Sequence, residues 1–304
     1  MSEKPAFVSG FVSILGKPNA GKSTLLNALT GVKLAIVAGH PQTTRTAIQG
    51  IVTSAEAQII FMDTPGIHRS TGLFNQRMMD TVRAALDGRD LLLFVADAAR
   101  PVRDDDLQAL DLLKETGTPA LLVLNKIDRL KNKAALLPII DRYKAAMPFE
   151  EYVPVSALSG EGLGELRKAI VSRLPEGPQY FPPDQITDQP ERFLAAELVR
   201  EKILQETRQE VPHAVAVVVE RWEETPRLIR IAAAVFVERE GQKAIVIGAG
   251  GSLLKKVGAL ARQDMEALLG RKVFLELFVK VRPGWREIPE FLNEIDWRSM
   301  AGER

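Results

Sequence analysis

The sequence predicts an α/β chain: a doubly wound domain with a mostly parallel sheet, followed by a smaller α+β domain. Three observations carry this. Short, nearly continuous apolar runs recur at 11–15, 58–62, 91–95, 120–124 and 152–156, the pattern of parallel strands buried on both faces. Helical patterns at 74–86, 104–115, 133–146 and 163–174 follow or separate these runs, and such alternation of strand and helix marks a doubly wound fold. Prolines then crowd one short stretch, at Pro175, Pro178, Pro182, Pro183 and Pro190, and beyond them the order of elements changes. The boundaries expected are 1–175 for the first domain, 176–190 for a semi-rigid linker and 191–304 for the second domain with a C-terminal extension.

The first strand runs into "GKPNAGKS", Gly16–Ser23, which fits the G-x-x-x-x-G-K-[ST] phosphate loop and is followed by the helical "KSTLLNALT". Glycines let the backbone wrap an anion, and amides at the helix N-terminus point at it. Gly16, Lys17, Pro18, Asn19, Ala20, Gly21 and Thr24 would line the phosphates. Lys22 would neutralise the β and γ phosphates, and the Ser23 hydroxyl would bind Mg²⁺.

Next, "PQTTRT" (41–46) places Thr43 and Thr44 in a loop. One of them, with Thr44 preferred, would complete the Mg²⁺ shell when a γ-phosphate is present. "FMDTPG" (61–66) ends the second apolar run. Asp63 would hold the Mg²⁺ shell, with Thr64 and Pro65 beside it, and the Gly66 N–H would meet the γ-phosphate. The helix in 72–86 would then move with nucleotide state.

"NKID" (125–128) ends a strand and would choose the base. The Asp128 carboxylate accepts from guanine N1 and N2, a donor pair that adenine lacks. Asn125 would reach the other purine edge and the Lys126 stem would cover the ring. "VSA" (155–157) ends a further strand, where a backbone N–H of Ser156 or Ala157 would meet guanine O6. Four such motifs, in order and each at a strand's C-terminal end, specify GTP and GDP as ligands. Lys22, Thr44, Gly66 and Asn19 are the expected participants in hydrolysis.

Composition narrows the setting. The chain has 304 residues, 46% apolar and 26% charged, with no cysteine and three histidines. Disulfides and thiolate metal sites are excluded, and a cytoplasmic location is expected. The N-terminus lacks a signal-peptide pattern, and no apolar run is long enough to span a bilayer. Net charge is +1, yet residues 243–286 carry nine lysines and arginines against Asp264, Glu266 and Glu276.

Past the linker, a long helix at 191–209 precedes two strand patterns, a helix to about 269, and the strand "KVFLELFVKV". Within this lies "IVIGAGGSLLKKVG" (245–258). A dinucleotide-binding reading fails because Leu253 stands where glycine or alanine is needed and no βαβ unit surrounds it. A ligand-free turn between helices is one reading. The other is a KH-domain clamp, whose (I/V)-I-G-x-x-G signature grips about four nucleotides of backbone. Ile247, Gly248, Ala249, Gly250, Gly251, Leu254, Lys255 and Lys256 would be its RNA-binding residues. Ala249 and Gly250 stand where many KH loops carry a basic residue, and Lys255 and Lys256 would replace that charge.

The GTP motifs resemble translation-factor-related GTPases, and the asparagine of "GKPNAGKS" with "QTTRT" and "DTPGIH" narrows the likeness to the Era/TrmE branch. One departure matters. Ile67 stands where Ras-like proteins place the glutamine that orients water. In related GTPases an asparagine at the place of Asn19 accompanies a bound K⁺; here it is either that or a plain turn residue. A GTPase domain, a proline-rich linker and a type II KH domain together resemble the Era family of bacterial ribosome-assembly GTPases over nearly the whole chain. The resemblance implies a GTP-hydrolysing switch that binds 16S rRNA near its 3′ end and serves the small (30S) ribosomal subunit. It also implies peripheral association with the inner membrane; a monomer is expected. Two rivals are a P-loop kinase, which "NKID" opposes, and an RNA-binding module whose GTP site is only structural.

Overall fold

The computed structural model describes residues 6–40, 42–67, 71–208 and 211–297. Pro41 of the first loop, His68 after Ile67, and Gln209 and Glu210 beyond the long helix lie outside the described residues. The described chain forms two units: 6–35, 44–67 and 77–188 in the first, and 36–40, 42–43, 71–76, 189–208 and 211–297 in the second. Two short N-terminal segments therefore count with the C-terminal unit, which no local pattern foretells.

The first unit runs β1 (Val8–Leu15), α1 (Lys22–Thr30), β2 (Ile48–Thr53), β3 (Ala57–Asp63), α2 (Leu73–Ala84), β4 (Leu91–Asp97), α3 (Asp104–Gln108), α4 (Asp111–Lys114), β5 (Ala120–Asn125), α5 (Leu136–Ala146), β6 (Glu151–Pro154) and α6 (Leu163–Val171). Only Leu73–Gln76 of α2 counts with the second unit. The strand order is β2-β3-β1-β4-β5-β6, and every neighbouring pair is parallel except β2 with β3. All of β5 and nearly all of β4 is buried, as unbroken apolar runs require. The chain turns outward in both directions from β1, so the loops after β1, β3, β5 and β6 gather at one edge, where such sheets bind ligands.

Three details depart from the sequence reading. The antiparallel edge strand β2, "IQGIVT", is not an unbroken apolar run and was not foreseen. The helix expected over 104–115 is two short helices. The proline-rich stretch is no free spacer, because its residues to 188 are laid along the first unit. Gln58 is buried there and donates to Phe181 O (2.9 Å) while accepting from Tyr180 N (2.8 Å) and Phe181 N (3.0 Å). Ile51 N donates to Ile186 O (2.9 Å) and Thr187 Oγ1 to Gln49 O (2.7 Å). Prolines lack a donor, but the residues between them supply enough polar groups to pin the segment.

The second unit continues with α7 (Glu191–Glu206), α8 (Val211–Ala214), β7 (Ala216–Glu224), β8 (Leu228–Val237), α9 (Glu240–Ile247), α10 (Ser252–Leu269), β9 (Lys272–Val281) and α11 (Pro289–Glu294). Its sheet order is β7-β8-β9; β7 pairs antiparallel with β8, and β8 parallel with β9. Helix, two strands, helix, turn, helix and parallel strand make the expected type II KH topology. Val217, Ile231, Val235, Val246, Val257, Ala261 and Met265 share its core. The C-terminal extension adds Trp285, whose buried ring lies 5.6 Å from Phe291 and whose Nε1 donates to Ala214 O at 2.9 Å. Helix α7 is buried along most of its length, and the burial includes Arg200, Glu201 and Lys202. Three adjacent charged residues survive there only because each is paired.

Candidate functional site

The phosphate loop begins where Gly16 leaves β1 at φ 143°; a Cβ there would come within 2.3 Å of Val95 O. Only glycine lets the chain pass so close to β4. Asn19 follows in the left-handed region at φ 63°, a conformation asparagine tolerates better than most residues. Lys22 is buried at the start of α1, and its Nζ donates to Gly16 O (3.2 Å) and Lys17 O (3.1 Å). These carbonyls hold the ammonium inside the curve of the loop. Burial pulls the Lys22 pKa down to about 8, against the raising pull of Asp63.

Ser23, Thr44 and Asp63 converge as expected for a divalent-cation site. Ser23 Oγ donates to Asp63 Oδ2 at 2.7 Å and lies 2.7 Å from Thr44 Oγ1, which reaches the same Oδ2 at 3.2 Å. Thr43 is not the partner, because its hydroxyl donates to His40 O at 2.7 Å. Burial pushes the Asp63 carboxyl up to about 6, opposed by the Lys22 charge and by the hydrogen bonds from Ser23 and Thr44. Its Oδ1 is buried and carries no hydrogen bond. A buried carboxylate oxygen with no partner, beside two hydroxyls, is a donor set that fits Mg²⁺.

Thr64 spends its hydroxyl on Ile14 O (2.9 Å), bracing β3 against β1. Gly66 packs on the phosphate loop so closely that a Cβ would meet Pro18 N at 2.7 Å. Ile67 N donates to Gly16 O (3.1 Å), and the Ile67 side chain joins Leu15 and Val82 in the core. An apolar side chain buried there offers no hydrogen bond to a water.

The expected base site coincides with a pocket between the β5 and β6 loops, lined by Gly21, Thr24, Asn125, Lys126, Asp128, Arg129, Ala157 and Leu158. Asp128 Oδ1 accepts from Ser156 Oγ at 2.6 Å, which fixes the carboxylate toward the pocket. Lys126 is anchored by Asn19 O (2.6 Å) and Asp97 (2.7 Å), so its stem is held in place beside the ring site. The residues expected at the base edge also have partners within the protein. The Asn125 amide donates one N–H to Ala20 O (2.9 Å), and its oxygen accepts from Lys126 N (2.8 Å) and Ala157 N (3.0 Å). It is a brace joining three loops. The Ser156 N–H donates to Glu161 O at 2.8 Å and the Ala157 N–H to Asn125 Oδ1 at 3.0 Å, so each expected donor to guanine O6 has a protein partner here. Sequence reasoning missed Asp97, Arg129 and the exposed Leu158; the apolar Leu158 directly after "VSA" was the available signal.

In the second unit, Gly248 ends α9 at φ 73°, and a Cβ there would meet Leu253 Cβ at 2.8 Å. Ala249–Gly251 form a tight turn closed by Gly251 N to Gly248 O (3.1 Å), and α10 starts at Ser252. Gly250 and Gly251 have positive φ and open space where a Cβ would stand. Leu254 packs partly on the core, while Ile247 is half-buried beside the turn. Lys255 is exposed, but Lys256 pairs with Glu206 at 2.6 Å. Only one of the two lysines thus supplies the expected uncommitted charge.

A phosphate loop with a cation-binding triangle and an aspartate-bearing base pocket, joined to a glycine turn between KH helices, defines a P-loop GTPase coupled to a KH domain. Comparison with known families agrees. A family model described as "50S ribosome-binding GTPase" matches residues 11–126, and one described as "KH domain" matches residues 210–286. GTPase Era of Syntrophus aciditrophicus is 49% identical over 96% of this chain and 95% of its own length. GTPase Era of Geotalea uraniireducens is 50% identical over 98% of this chain and all of its own. Two solved structures superpose with a TM-score of 0.93 at 42% identity, covering 96% of this chain and 99% of theirs. One is Era of Aquifex aeolicus bound to GDP and AlF4⁻; the other is Era in complex with MgGDPNP and nucleotides 1506–1542 of 16S ribosomal RNA. The chain belongs to the Era family and is a GTPase.

Proposed function

We propose that this GTPase is a switch that grips single-stranded RNA near the 3′ end of 16S rRNA and assists maturation of the 30S subunit. The observation that carries the reading is the Gly248–Gly251 turn, in which Gly250 and Gly251 face open space at the N-terminus of α10. Such a turn lets sugar–phosphate approach the main chain, and a helix N-terminus favours the phosphate. The relative solved with a 16S fragment supports the choice of RNA.

In the nucleotide site Lys22 neutralises phosphate charge, and Ser23, Thr44 and Asp63 hold Mg²⁺. The ion, when bound, offsets charge on the phosphate oxygens. Thr44 and the Gly66 amide are the groups that distinguish GTP from GDP, since each meets the γ-phosphate side of the site. With Ile67 in the core, water must be oriented by another group. Asn19, K⁺ and an activating RNA are the agents this reading assigns. The same reading places the protein in the cytoplasm as a monomer, with peripheral contact to the inner membrane.

The test is single-turnover GTP hydrolysis with and without 16S 3′-end RNA, in potassium and in sodium. Acceleration by the RNA supports the switch. RNA binding that leaves both the rate and the GTP affinity unchanged would leave only an RNA-binding module. Equal rates in both salts, also for Asn19→Ala, would remove K⁺.

A further inference from the structure

Val37 and Thr43, between α1 and β2, are held by one face of α7. Val37 N donates to Glu201 Oε1 at 2.8 Å, and Gln205 Nε2 donates to Val37 O at 3.0 Å. Six residues later, the Arg200 guanidinium donates to Thr43 O. All of these residues belong to the second unit. The Arg200 side chain is 2% exposed and is fixed by Glu197, through Nε at 2.7 Å and Nη2 at 2.6 Å. Its Nη1 is buried without a hydrogen bond.

Burying a guanidinium with one nitrogen unsatisfied is costly, and a purely structural role is met as well by an apolar side chain of similar volume. Beyond packing and its pair with Glu197 on the same helix, the guanidinium supplies a bond to the Thr43 carbonyl. That carbonyl shares one rigid peptide plane with the nitrogen and Cα of Thr44. Holding the oxygen therefore fixes the backbone from which the Thr44 hydroxyl reaches Ser23 and Asp63.

We propose that Arg200 is a positioning residue for GTP hydrolysis: it clamps the Thr43–Thr44 peptide so that Thr44 is pre-set for Mg²⁺ and the γ-phosphate. The proposal rests on the reading of Thr44 as a γ-phosphate-side ligand. A second link follows from it. Glu201 also accepts from Lys202 (3.0 Å), which pairs with Asp264 of α10 at 2.5 Å. The helix that starts at the RNA-binding turn is thus joined through Lys202 to Glu201, the residue next to Arg200 that holds Val37 N.

The test uses the full-length protein as Arg200→Lys, Arg200→Met and Thr44→Ala. Arg200→Lys keeps the charge for Glu197 and loses the planar fork; Arg200→Met removes both. Affinities for GDP and for a non-hydrolysable GTP analogue are measured across Mg²⁺ concentrations, with single-turnover hydrolysis and thermal melting. We expect Arg200→Met to lower both kcat and the GTP-over-GDP preference about tenfold, the scale of one hydrogen bond from a charged group. Excess Mg²⁺ should recover part of the loss, and Arg200→Lys should lie between. A packing role alone lowers the melting temperature and changes both affinities equally. If Arg200→Met does not fold, Arg200→Lys carries the test. Folded Arg200 variants with wild-type kcat and preference, beside a defective Thr44→Ala, would overturn the proposal. A fully active Thr44→Ala would instead overturn the reading of Thr44.

Discussion

Replacing Gly250 with aspartate tells an RNA clamp from a plain turn between helices. Gly250 sits at φ 57° and ψ 24°, and a Cβ there meets nothing within 4 Å. The intramolecular cost is therefore conformational, at most about 1–2 kcal/mol for an L-residue, and lower for aspartate or asparagine, which visit this region most readily. The new carboxylate enters the space where the turn meets a phosphate. Two like charges about 4 Å apart repel by about 1 kcal/mol in bulk water and about 4 kcal/mol at an effective dielectric of about 20. RNA affinity should thus fall about 5-fold at the least and about 800-fold at the most. Gly250→Asn carries the same volume and backbone strain without the charge, so the ratio between the two variants isolates electrostatics. The assay is a fluorescence-anisotropy titration of labelled single-stranded 16S 3′-end RNA at two salt concentrations, with circular dichroism for folding. GTP affinity without RNA should stay at the wild-type value, because the nucleotide pocket is built from the first unit. Equal RNA affinity for the two variants would refute the clamp.

Three further outcomes follow from the same geometry. Asp128→Asn keeps an oxygen for Ser156 but turns a donor toward guanine N1 and N2; loss of two charge-assisted bonds should weaken GTP about 10²- to 10⁴-fold and favour xanthosine triphosphate, measured by competition binding. Asp63 has a folded pKa near 6 against an unfolded 3.8, so its contribution favours the nucleotide-free fold most below 3.8 and is lost as pH rises through 6. At pH 7.5 Asp63→Asn should therefore melt higher, by up to about 3 kcal/mol of stability, while losing Mg²⁺-dependent GTP binding. In the unmutated protein apparent Mg²⁺ affinity should fall about tenfold per pH unit below 6, with calorimetry detecting one proton released. Lys255→Ala should flatten the salt dependence of RNA binding by about 0.7 in slope, whereas Lys256→Ala, already paired with Glu206, should change it less; equal slopes would contradict this.

The chain order of residues was enough to set the phosphate loop, the aspartate that Ser23 and Thr44 meet, the aspartate of the pocket beside β5 and β6, and the glycine turn. Each depends on local backbone: a glycine where a side chain has no room, or a polar group at the end of a buried strand. The alternation of apolar runs and helical patterns likewise fixed both fold classes, since burial on two faces and helical periodicity are readable within about ten residues. What tertiary structure alone decided involves partners far apart in the chain. Asn125 braces three loops because Ala20 and Ala157 close around it. Lys256 is committed because α7 brings Glu206 beside it. The proline stretch lies along the first unit because buried Gln58 offers both a donor and an acceptor to its backbone. Val37 and Thr43 count with the C-terminal unit because Arg200, Glu201 and Gln205 present three complementary groups to their carbonyls and amide. A hydrogen bond is specified only when both partners are in place, and across more than a hundred residues that placement belongs to packing.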